Sequence, residues 1–511
     1  MLTPTITPLA HDPDTTHRLN ACAYQQSALT TIANTQYAAF YTASPDPATR
    51  FVTLARRNLS GSEWHLLTFT DYAQRTDDGH NTVSLGICAG DGTIHLAFDH
   101  HCDTLHYRIS RPGLASDTRA ASWTPSAFGA VQSHLPGCDP RTPLEEITYP
   151  RFVPAGDNLF FEYRIGRAGA GSEALYLYTP APTSNPDPNP NPGTTTTTTA
   201  ETIRKTGEFH PYTPAPAHTP SSRPSLIQNK AIYLQGQNNN PYPNGLTYHV
   251  PSNSLHLTWT NRLFLPYPGA NSPDSTAHKA QAGPNGPENN EGLYYVSAVL
   301  GNLGDDGVGV EWRGCRGDVL AFGSFYPHTL SRNGGLAREG HGVQDEGEES
   351  LNSQDPKLRV RDLPPGSGIM NQEAQFVDAE GGVHVLNREN TRGQGVEWVY
   401  YFWSGSRDEE WESSVLEGVG PGELGPRGKV VVYRRSVWFV LPVSQTGEVV
   451  VARWARERGL EVVWRGMGFD GEPLVDEPAL EAGGILSVLM LRRDAVGRQV
   501  VVVAFDLERL V

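Results

Sequence analysis

Short apolar runs recur along the whole chain and predict strands. Runs rich in Val, Tyr, Trp and Phe are separated by clusters of Gly, Asp, Asn or Pro. The first predicted strand is 36–41 (QYAAFY), and later ones include 159–166 (LFFEYRIG), 254–265 (SLHLTWTNRLFL), 395–405 (GVEWVYYFWSG), 429–442 (KVVVYRRSVWFVLP) and 499–507 (QVVVVAFDL). Branched and aromatic side chains favour pleated strands, and the residues between the runs favour turns. No segment has the pattern of a long amphipathic helix. We therefore predict an all-β protein of many short antiparallel strands.

The repetition of these runs favours one architecture over two others. A unit of strand, Gly-containing turn and strand, as in 88–98 (CAGDGTIHLAF), recurs roughly every fifty residues without a clean repeat at the level of single residues. Such hairpins over 511 residues favour a β-propeller over a single sandwich. A right-handed β-helix is the competing fold, but its rungs would be shorter and more regular.

Three polar stretches interrupt the apolar runs. Residues about 180–224 are rich in Pro, Thr, Asn and Ser, and two further polar stretches lie at roughly 266–290 and 330–368. A segment of this composition cannot bury enough apolar surface to offset the entropy lost on ordering. We expect long surface loops, with residues 180–224 as a disordered insertion.

The balance of charge restricts the partners. The formal net charge is −16, and no basic patch is visible along the chain, so we expect no nucleic-acid partner. An acidic polysaccharide would also be repelled at long range, so a site for one needs local arginines. No apolar run of about 18 residues is present, so no transmembrane helix and no membrane partner are expected.

The N-terminus and the cysteines show no targeting, disulfide or zinc-finger motif. Residues 1–20 lack a basic segment followed by a continuous apolar one, so no signal peptide is visible. The five cysteines (Cys22, Cys88, Cys102, Cys138 and Cys315) lack CxxC spacing. At most two disulfides can form, which is neither a disulfide framework nor a zinc-finger pattern.

The predicted strand at 93–101 (TIHLAFDHH) ends in two adjacent histidines. Alternation along a strand places side chains on two faces. The apolar face would hold Ile94, Leu96, Phe98 and His100. His101 would then lie on the polar face, which makes it the candidate for a catalytic or substrate-binding group. His100 is the candidate for packing between blades, and a β-bulge would exchange the two.

The order of several motifs is specific. The motifs are His80-Asn81, 94–110 (IHLAFDHHCDTLHYRIS), 128–137 (FGAVQSHLPG), TYPRF at 148–152, YRIGRAGAG at 163–171, NPYPNG at 240–245 and HLTWTNR at 256–262. This order resembles the BNR-4 repeat family, a group of seven-bladed β-propellers related to ulvan lyases and L-rhamnose-α-1,4-D-glucuronate lyases. The resemblance is strong over roughly 30–310 and weaker in the C-terminal third.

The resemblance implies a fold and an activity. We predict that residues 1–511 form a single domain, a seven-bladed β-propeller with long disordered loop insertions and with its two ends near each other. The implied activity is β-elimination in a glycan that contains uronic acid, of glucuronate type, at a linkage such as rhamnose–glucuronate. The implied partner is an acidic polysaccharide or oligosaccharide. The family is usually secreted, and we expect a monomer.

β-Elimination at a uronic acid makes three chemical demands. The substrate carboxylate must be neutralised, a base must take the proton from C5, and an acid must protonate the departing O4. The resemblance assigns Arg164 to the carboxylate, which its planar fork can grip through two hydrogen bonds. It makes Tyr149 the general acid or base, and His80 matches the first histidine of the family. Pro150 should force Tyr149 into an extended conformation.

Three further residues are candidates for substrate binding. Arg262 and Tyr242 match family positions that line the pocket. His100 is the third candidate for substrate binding, and packing between blades is its alternative role. The family often has a histidine beside an asparagine where this chain has Asn289 and Asn290. This departure leaves the substrate specificity open.

No metal or cofactor is required by this chemistry. Zinc bound by His80, His101 and Cys102 is disfavoured because residues 101 and 102 would point to opposite faces of a strand. A structural Ca²⁺ is compatible with such a propeller, but no DxDxDG loop supports it.

Two other classes of function compete with a lyase. A propeller without catalysis could bind glycans or proteins. A glycoside hydrolase, including one of sialidase type, would need paired carboxylates or a three-arginine set with a tyrosine nucleophile. No convincing acidic pair is visible in the sequence.

Overall fold

The structure, a computed structural model, describes most of the chain. The described residues are 2–25, 27–167, 171–181, 206–212, 231–236, 239–266, 286–304, 307–318, 320, 356–390, 393, 395–406, 410–422, 425–443, 446–495 and 497–510. Within them, the strands form seven antiparallel sheets, one for each blade of a propeller. The predicted all-β, seven-bladed fold is confirmed.

The first two blades follow one another along the chain, after an N-terminal strand that belongs to the last blade. The strands are β1 (Thr5–His11), β2 (Leu29–Ile32), β3 (Thr35–Ala43), β4 (Arg50–Asn58), β5 (His65–Gln74), β6 (Val83–Ile87), β7 (Ile94–Phe98), β8 (His101–Asp103) and β9 (Tyr107–Ile109). Blade 1 contains β2 to β5, and blade 2 contains β6, β7 and β9. The short strand β8 pairs instead with the third blade.

The third and fourth blades carry the long insertions. Their strands are β10 (Ile147–Ala155), β11 (Asn158–Ile165), β12 (Ser172–Thr179), β13 (Glu208–Pro211), β14 (Ile232–Gln235), β15 (Asn239–His249), β16 (Ser254–Leu263), β17 (Asn290–Gly304), β18 (Gly307–Arg313) and β19 (Arg359–Arg361). Blade 3 is built on β10 to β14 and blade 4 on β15 to β19.

The last three blades are regular four-stranded sheets. Their strands are β20 (Ala374–Val377), β21 (Val383–Glu389), β22 (Glu397–Trp403), β23 (Glu412–Val415), β24 (Lys429–Tyr433), β25 (Ser436–Val443), β26 (Glu448–Ala455), β27 (Gly459–Gly466), β28 (Phe469–Val475), β29 (Ile485–Arg493) and β30 (Arg498–Asp506). Blade 7 combines β28, β29 and β30 with β1.

Helical structure among the described residues is short. One α-helix, α1 (Glu477–Gly483), begins at the N-cap Asp476, whose side chain accepts a hydrogen bond from the amide of Ala479. The 3-10 turns cover Ala23–Gln25, Leu114–Ser116, Ala120–Ser122, Pro125–Ala127, Pro287–Asn289, Pro356–Leu358 and Leu507–Leu510.

The blades close into a ring. The first strands of neighbouring blades (β2, β6, β10, β15, β20, β24 and β28) are in contact all the way round. The ring closes because β1 adds to the outer edge of blade 7 beside β30, with Thr5 opposite Ala504 and His11 opposite Gln499. Arg498 supports this closure through an ion pair with Asp12 at 2.5 Å. The predicted proximity of the two chain ends is confirmed.

Three blades share a buried histidine–tyrosine pair. Nδ1 of the histidine on the second strand bonds to the hydroxyl of a tyrosine on the third strand: His95 to Tyr107 at 2.7 Å, His256 to Tyr295 at 2.8 Å and His384 to Tyr400 at 2.7 Å. Nε2 of each ring bonds to Thr93, Ser254 or Asp378 in the same order. These histidines therefore tie strands together within a blade.

Two sequence-based expectations about elements are wrong in part. The run 429–442, which reads as one strand, is a hairpin whose turn holds Arg434 and Arg435 at φ 47° and 64°. Most of the 180–224 insertion lies outside the described residues, but Glu208–Pro211 forms the strand β13, and Phe209 there is 1% exposed. The structure thus places this part of the insertion in blade 3.

The remaining expectations concern cysteines and membranes. All five cysteines are free thiols. Among the described residues, no helix is both long enough and apolar enough to cross a membrane.

Candidate active site

The predicted site residues meet on one rim of the propeller. Because strands within a blade are antiparallel, the start of each first strand and the end of each second strand share an edge. His80 precedes β6, Tyr149 lies near the start of β10, and Arg164 lies near the end of β11. His101 joins them through β8, where it pairs with Thr148 of the next blade. The structure brings all four predicted catalytic residues together.

A carboxylate that the sequence reasoning missed links the two histidines. Oδ1 of Asp78 lies 2.5 Å from Nδ1 of His80, and Oδ2 lies 2.6 Å from Nδ1 of His101. The two imidazole rings stack, with their centroids 3.9 Å apart and their planes at 14°. The available signal was the spacing Asp78-Gly79-His80, which is typical of a turn closed by an aspartate side chain.

The electrostatics of this group follow from burial and hydrogen bonding. Burial raises the pKa of Asp78, but the hydrogen bonds from His101 and His80 outweigh it and hold that pKa well below its usual range. Burial lowers the pKa of His101 to about 4, although Asp78 acts in the opposite direction. At neutral pH the group therefore contains an ionised carboxylate and a neutral His101.

Tyr149 adopts an unexpected backbone conformation. Its φ is 58°, in the left-handed region that bulky residues rarely adopt, and the pairing of β10 with β11 shifts register between Thr148 and Arg151. The predicted extended conformation is wrong, because Tyr149 lies in a β-bulge and β10 continues through Pro150 to Ala155. The bulge aims the side chain at the rim.

The ring of Tyr149 lies in the centre of the cluster. Its centroid is 5.7 Å from that of His80 and 4.8 Å from Cζ of Arg164. Burial, followed by the neighbouring Tyr242, raises the pKa of Tyr149 well above its usual range. The phenol therefore keeps its proton at neutral pH and is able to donate it.

Arg164 is a buried cation without a carboxylate partner. Its side chain is 1% exposed, Nη1 donates to Oη of Tyr242 at 3.1 Å, and Nε makes no hydrogen bond. No carboxylate of the described residues lies within 4.0 Å of it. Glu173 is opposite in register, but burial and Glu162 raise the pKa of Glu173 well above its usual range, which favours its neutral form. A buried, uncompensated guanidinium is costly unless an anion joins it.

Arg262 is held in a similar way at the end of β16. Its Nε donates to Oδ1 of Asn290 at 2.9 Å and its Nη2 to Oδ1 of Asn371 at 2.7 Å, so both partners are neutral. Its Cζ lies 4.8 Å from the ring centroid of Tyr242. Asn290 is one of the two asparagines at the position where the family often has a histidine. Asn290 therefore orients Arg262 through this hydrogen bond.

A third arginine at the corresponding strand end is different. Arg388, near the end of β21, donates to both carboxylate oxygens of Glu373, at 2.9 and 3.1 Å. Both side chains are fully buried. Of these three strand-end arginines, Arg388 is compensated within the protein, whereas Arg164 and Arg262 have neutral partners. An anionic ligand can compensate the latter two.

Two more residues lie against this cluster. The ring of Tyr24 stacks on His80 at 4.9 Å, and Cζ of Arg427 lies 5.1 Å from the ring of Tyr24. Arg427 is paired with Glu472 at 2.9 Å. No motif in the sequence singled out Tyr24 or Arg427, because each comes from a separate segment before a first strand.

His100 does not join this cluster. It is 1% exposed, its Nε2 accepts a hydrogen bond from the amide of His106 at 2.8 Å, and its ring stacks on that of His106 at 5.5 Å. Its position supports the packing alternative rather than substrate binding. Strand alternation predicted that His100 and His101 would have different surroundings, which they do. The reason was wrong, because β7 ends at Phe98 and Asp99 adopts a φ of 64°, so the alternation does not continue to these residues.

The same cluster is the candidate for a metal. Within the described residues, Asp78, His80 and His101 form a group whose ligand atoms lie within 4.8 Å of one another. Cys102 is not part of it, since its thiol bonds to the carbonyl of Gly166. The N···O separations of 2.5 and 2.6 Å are those of charge-assisted hydrogen bonds. An ion would have to displace a proton from each Nδ1, so the arrangement fits a hydrogen-bonded triad better than a metal centre.

Comparisons with known proteins place the fold. The sequence profile of the BNR repeat-containing family matches residues 35–417. The polysaccharide lyase Uly1 is similar in structure at 14% identity, with a TM-score of 0.59 over 96% of this chain and 91% of that chain. A PL25 ulvan lyase bound to -[GlcA(1-4)Rha3S]- is similar at 10% identity, with a TM-score of 0.53 over 96% of this chain and 95% of that chain. No curated protein matches the chain.

Proposed function

This chain belongs to the BNR repeat-containing family, and we propose that it is a polysaccharide lyase that cleaves a uronate-containing glycan by β-elimination. The observation that carries the proposal is the buried Arg164, which lacks a carboxylate partner and lies beside a phenol and an imidazole pair. A substrate carboxylate at Arg164 would bring C5 and O4 of the same sugar next to a base and an acid.

Each residue has a role in the proposed reaction. Arg164 neutralises the carboxylate and thereby makes the C5 proton more acidic. One imidazole of the His80–His101 pair accepts that proton, while the electron pair of the C5–H bond forms the C4=C5 double bond. The C4–O4 bond breaks, and Tyr149 donates its proton to O4. The imidazolium and the phenolate then exchange a proton, and the site returns to its starting state.

The finer substrate is also a proposal. We propose a glucuronate-type sugar, joined at O4 to rhamnose or a related sugar. The structurally similar PL25 ulvan lyase, which binds -[GlcA(1-4)Rha3S]-, supports this choice. Arg262, with its neutral asparagine partners, would contact a neighbouring polar or anionic group on the chain.

The direct test is the product. Incubation with glucuronate-rich glycans should generate ultraviolet absorbance from the C4=C5 double bond. New reducing ends without that absorbance would indicate a hydrolase. Glycan binding without either product would indicate a propeller that only binds.

Two pairs of variants test the roles. Tyr149→Phe should abolish product formation while glycan binding persists, whereas Tyr107→Phe removes a hydroxyl bonded to His95 and should lower the melting temperature with activity retained. His101→Ala should reduce turnover, whereas His100→Ala should reduce stability. Wild-type turnover in Tyr149→Phe would remove the phenol from the mechanism.

A further inference from the structure

We propose that Asp78 is a positioning residue whose single carboxylate holds His80 and His101 in the same tautomer, so that the two rings work as one proton-accepting pair. The catalytic consequence rests on the proposed lyase function, but the tautomers do not.

The carboxylate uses one oxygen for each ring. Oδ1 meets Nδ1 of His80 at 2.5 Å and Oδ2 meets Nδ1 of His101 at 2.6 Å. An ionised carboxylate only accepts hydrogen bonds, so both Nδ1 atoms must carry the protons. Nε2 of each ring is then the nitrogen that can take a proton from a substrate.

The backbone fixes the carboxylate before either ring is considered. The amide of His80 donates to Oδ1 of Asp78 at 3.0 Å, and the amide of Asn81 donates to the main-chain carbonyl of Asp78 at 3.0 Å. This is an aspartate turn over Asp78-Gly79-His80. The position of the carboxylate therefore comes from local sequence, and His101 is added to it from another strand.

The stacking limits the pair to one proton. With centroids 3.9 Å apart, two imidazolium ions would repel each other strongly. A proton accepted at one Nε2 places the positive charge next to Asp78, which is already bonded to Nδ1 of that ring.

Two aromatic rings lie against His80, and the surroundings of His101 favour its neutral form. Tyr24 stacks on His80 at 4.9 Å, and Tyr149 lies 5.7 Å from the same ring. The positive charge of Arg164 lowers the pKa of His101, in addition to the larger effect of burial. A neutral His101 is ready to act as a base.

The decisive variant is Asp78→Asn. An amide offers one acceptor oxygen and one donor nitrogen, so it can accept a hydrogen bond from only one Nδ1–H group. The other ring must move its proton to Nε2. Assigned nitrogen NMR signals should show that His80 and His101 both carry the proton on Nδ1 in the wild type. In the variant, one of these two rings should carry it on Nε2. Asp77→Asn is the matched control, because Asp77 bonds to the surface residue His17.

The effect on turnover should follow the tautomer. Loss of a correctly oriented base costs about 10²- to 10⁴-fold in kcat, and KM should change little because Arg164 is untouched. Asp77→Asn should leave both constants unchanged.

The outcomes separate this inference from the proposed function. The inference is overturned if either wild-type ring carries its proton on Nε2, or if both rings of Asp78→Asn remain Nδ1–H. The wild-type spectrum decides even if the variant does not fold. Correct tautomers in a protein that forms no unsaturated product would refute the lyase and leave the positioning role intact.

Discussion

A single difference in pairing separates two arginines at equivalent strand ends. Arg164 and Arg388 both lie near the end of the second strand of a blade, and both are fully buried. Arg388 is bound by Glu373 and by the main-chain carbonyls of Gly422, Gly425 and Pro426. Arg164 instead contacts the side chains of Tyr242 and Tyr149. The first is a structural cation, and the second has capacity left for a ligand.

Replacement with lysine should therefore lower catalytic efficiency at Arg164 and lower stability at Arg388. Lysine keeps the charge but loses the planar fork. Arg164→Lys should lower kcat/KM by about 10²- to 10³-fold with little change in melting temperature. Arg388→Lys should lower the free energy of unfolding by about 1 to 3 kcal/mol, because several buried acceptors lose their donors. Steady-state kinetics and denaturant unfolding of both variants give the comparison, and similar activity losses in both would contradict it.

Residue identities were predictable where a motif carried them. TYPRF and HLTWTNR led to Tyr149 and Arg262, both of which contact Tyr242 in the candidate site. Their conformations were not predictable: the left-handed φ of Tyr149 depends on a bulge in the pairing with β11, which is a tertiary feature. Asp78 was visible as a turn residue, but its bond to His101 spans two separate strands. Tyr24 and Arg427 had no local signal.

The histidine–tyrosine pairs show what most strand histidines do at the scale of one blade. TIH, SLH and GVH at 93–95, 254–256 and 382–384 place a buried ring at the same level of three second strands. Burial lowers the pKa of His95 and of His256 to about 3. The rings of His95 and His256 are therefore neutral in the folded protein at neutral pH, since a charged ring would lose its hydration there.

This burial makes the fold sensitive to acid. The unfolded chain binds protons at these histidines below pH of about 6.5, whereas the folded chain resists protonation until about pH 3. Stability contributed in this way is complete above pH 6.5 and is lost as the pH falls toward 3. Each of these two rings should lower the free energy of unfolding by about 2 kcal/mol as the pH falls from 7 to 5. His256→Gln should lose less stability over that interval than the parent, and the exposed His65→Gln should behave like the parent. Equal losses in all three proteins would contradict this account.

The long insertion should divide into a dispensable and a necessary part. The composition of 183–203 predicts that this segment can be removed with little change in melting temperature. Extending the deletion to residue 212 removes β13 and the buried side chains of Phe209 and Tyr212, and should lower the free energy of unfolding by more than about 3 kcal/mol. Thermal melts of the two deletions decide. A large loss from the shorter deletion would show that the segment packs on a blade.

Strands were predictable in proportion to their apolar content. Among the second and third strands, β22 (EWVYYFW) is a nearly continuous apolar run and β16 (SLHLTWTNRL) alternates apolar and polar residues, and both were located within a few residues. First strands were harder, because buried polar residues precede them, as Asn371, Gln372 and Glu373 precede β20. The hairpin of β24 and β25 was missed because its turn uses two arginines with positive φ instead of Gly or Asn.

At the scale of the whole molecule, the ring determines where the site lies. Seven first strands in contact place their ends around one axis, so residues from distant parts of the chain, such as Tyr24 and Glu472, meet through Arg427. The number of blades came from a family resemblance and not from periodicity, because the insertions in blades 3 and 4 hide the repeat. The closing strand β1 was also absent from the predicted strands, since its sequence TITPLAH is not an apolar run.

The overall charge should influence how an acidic glycan reaches this site. The chain carries a net charge of −16, which repels a polyanion at distances beyond direct contact. The Debye length falls to about 10 Å at 0.1 M salt, so added salt should screen that repulsion. Arg164 and Arg262 are buried, and their contacts with a bound carboxylate should be screened much less.

We therefore expect kcat/KM for an acidic polysaccharide to rise a few-fold as ionic strength increases from about 10 to 150 mM. The turnover at saturation should stay constant, because the chemical step occurs inside the pocket. A short oligosaccharide with fewer charges should show a smaller rise, since the repulsion scales with the charge of the substrate. The measurement is a series of initial rates with both substrates at fixed pH. A steady fall in kcat/KM with salt would mean that the guanidinium groups of the pocket, and not the net charge, control the approach of the substrate.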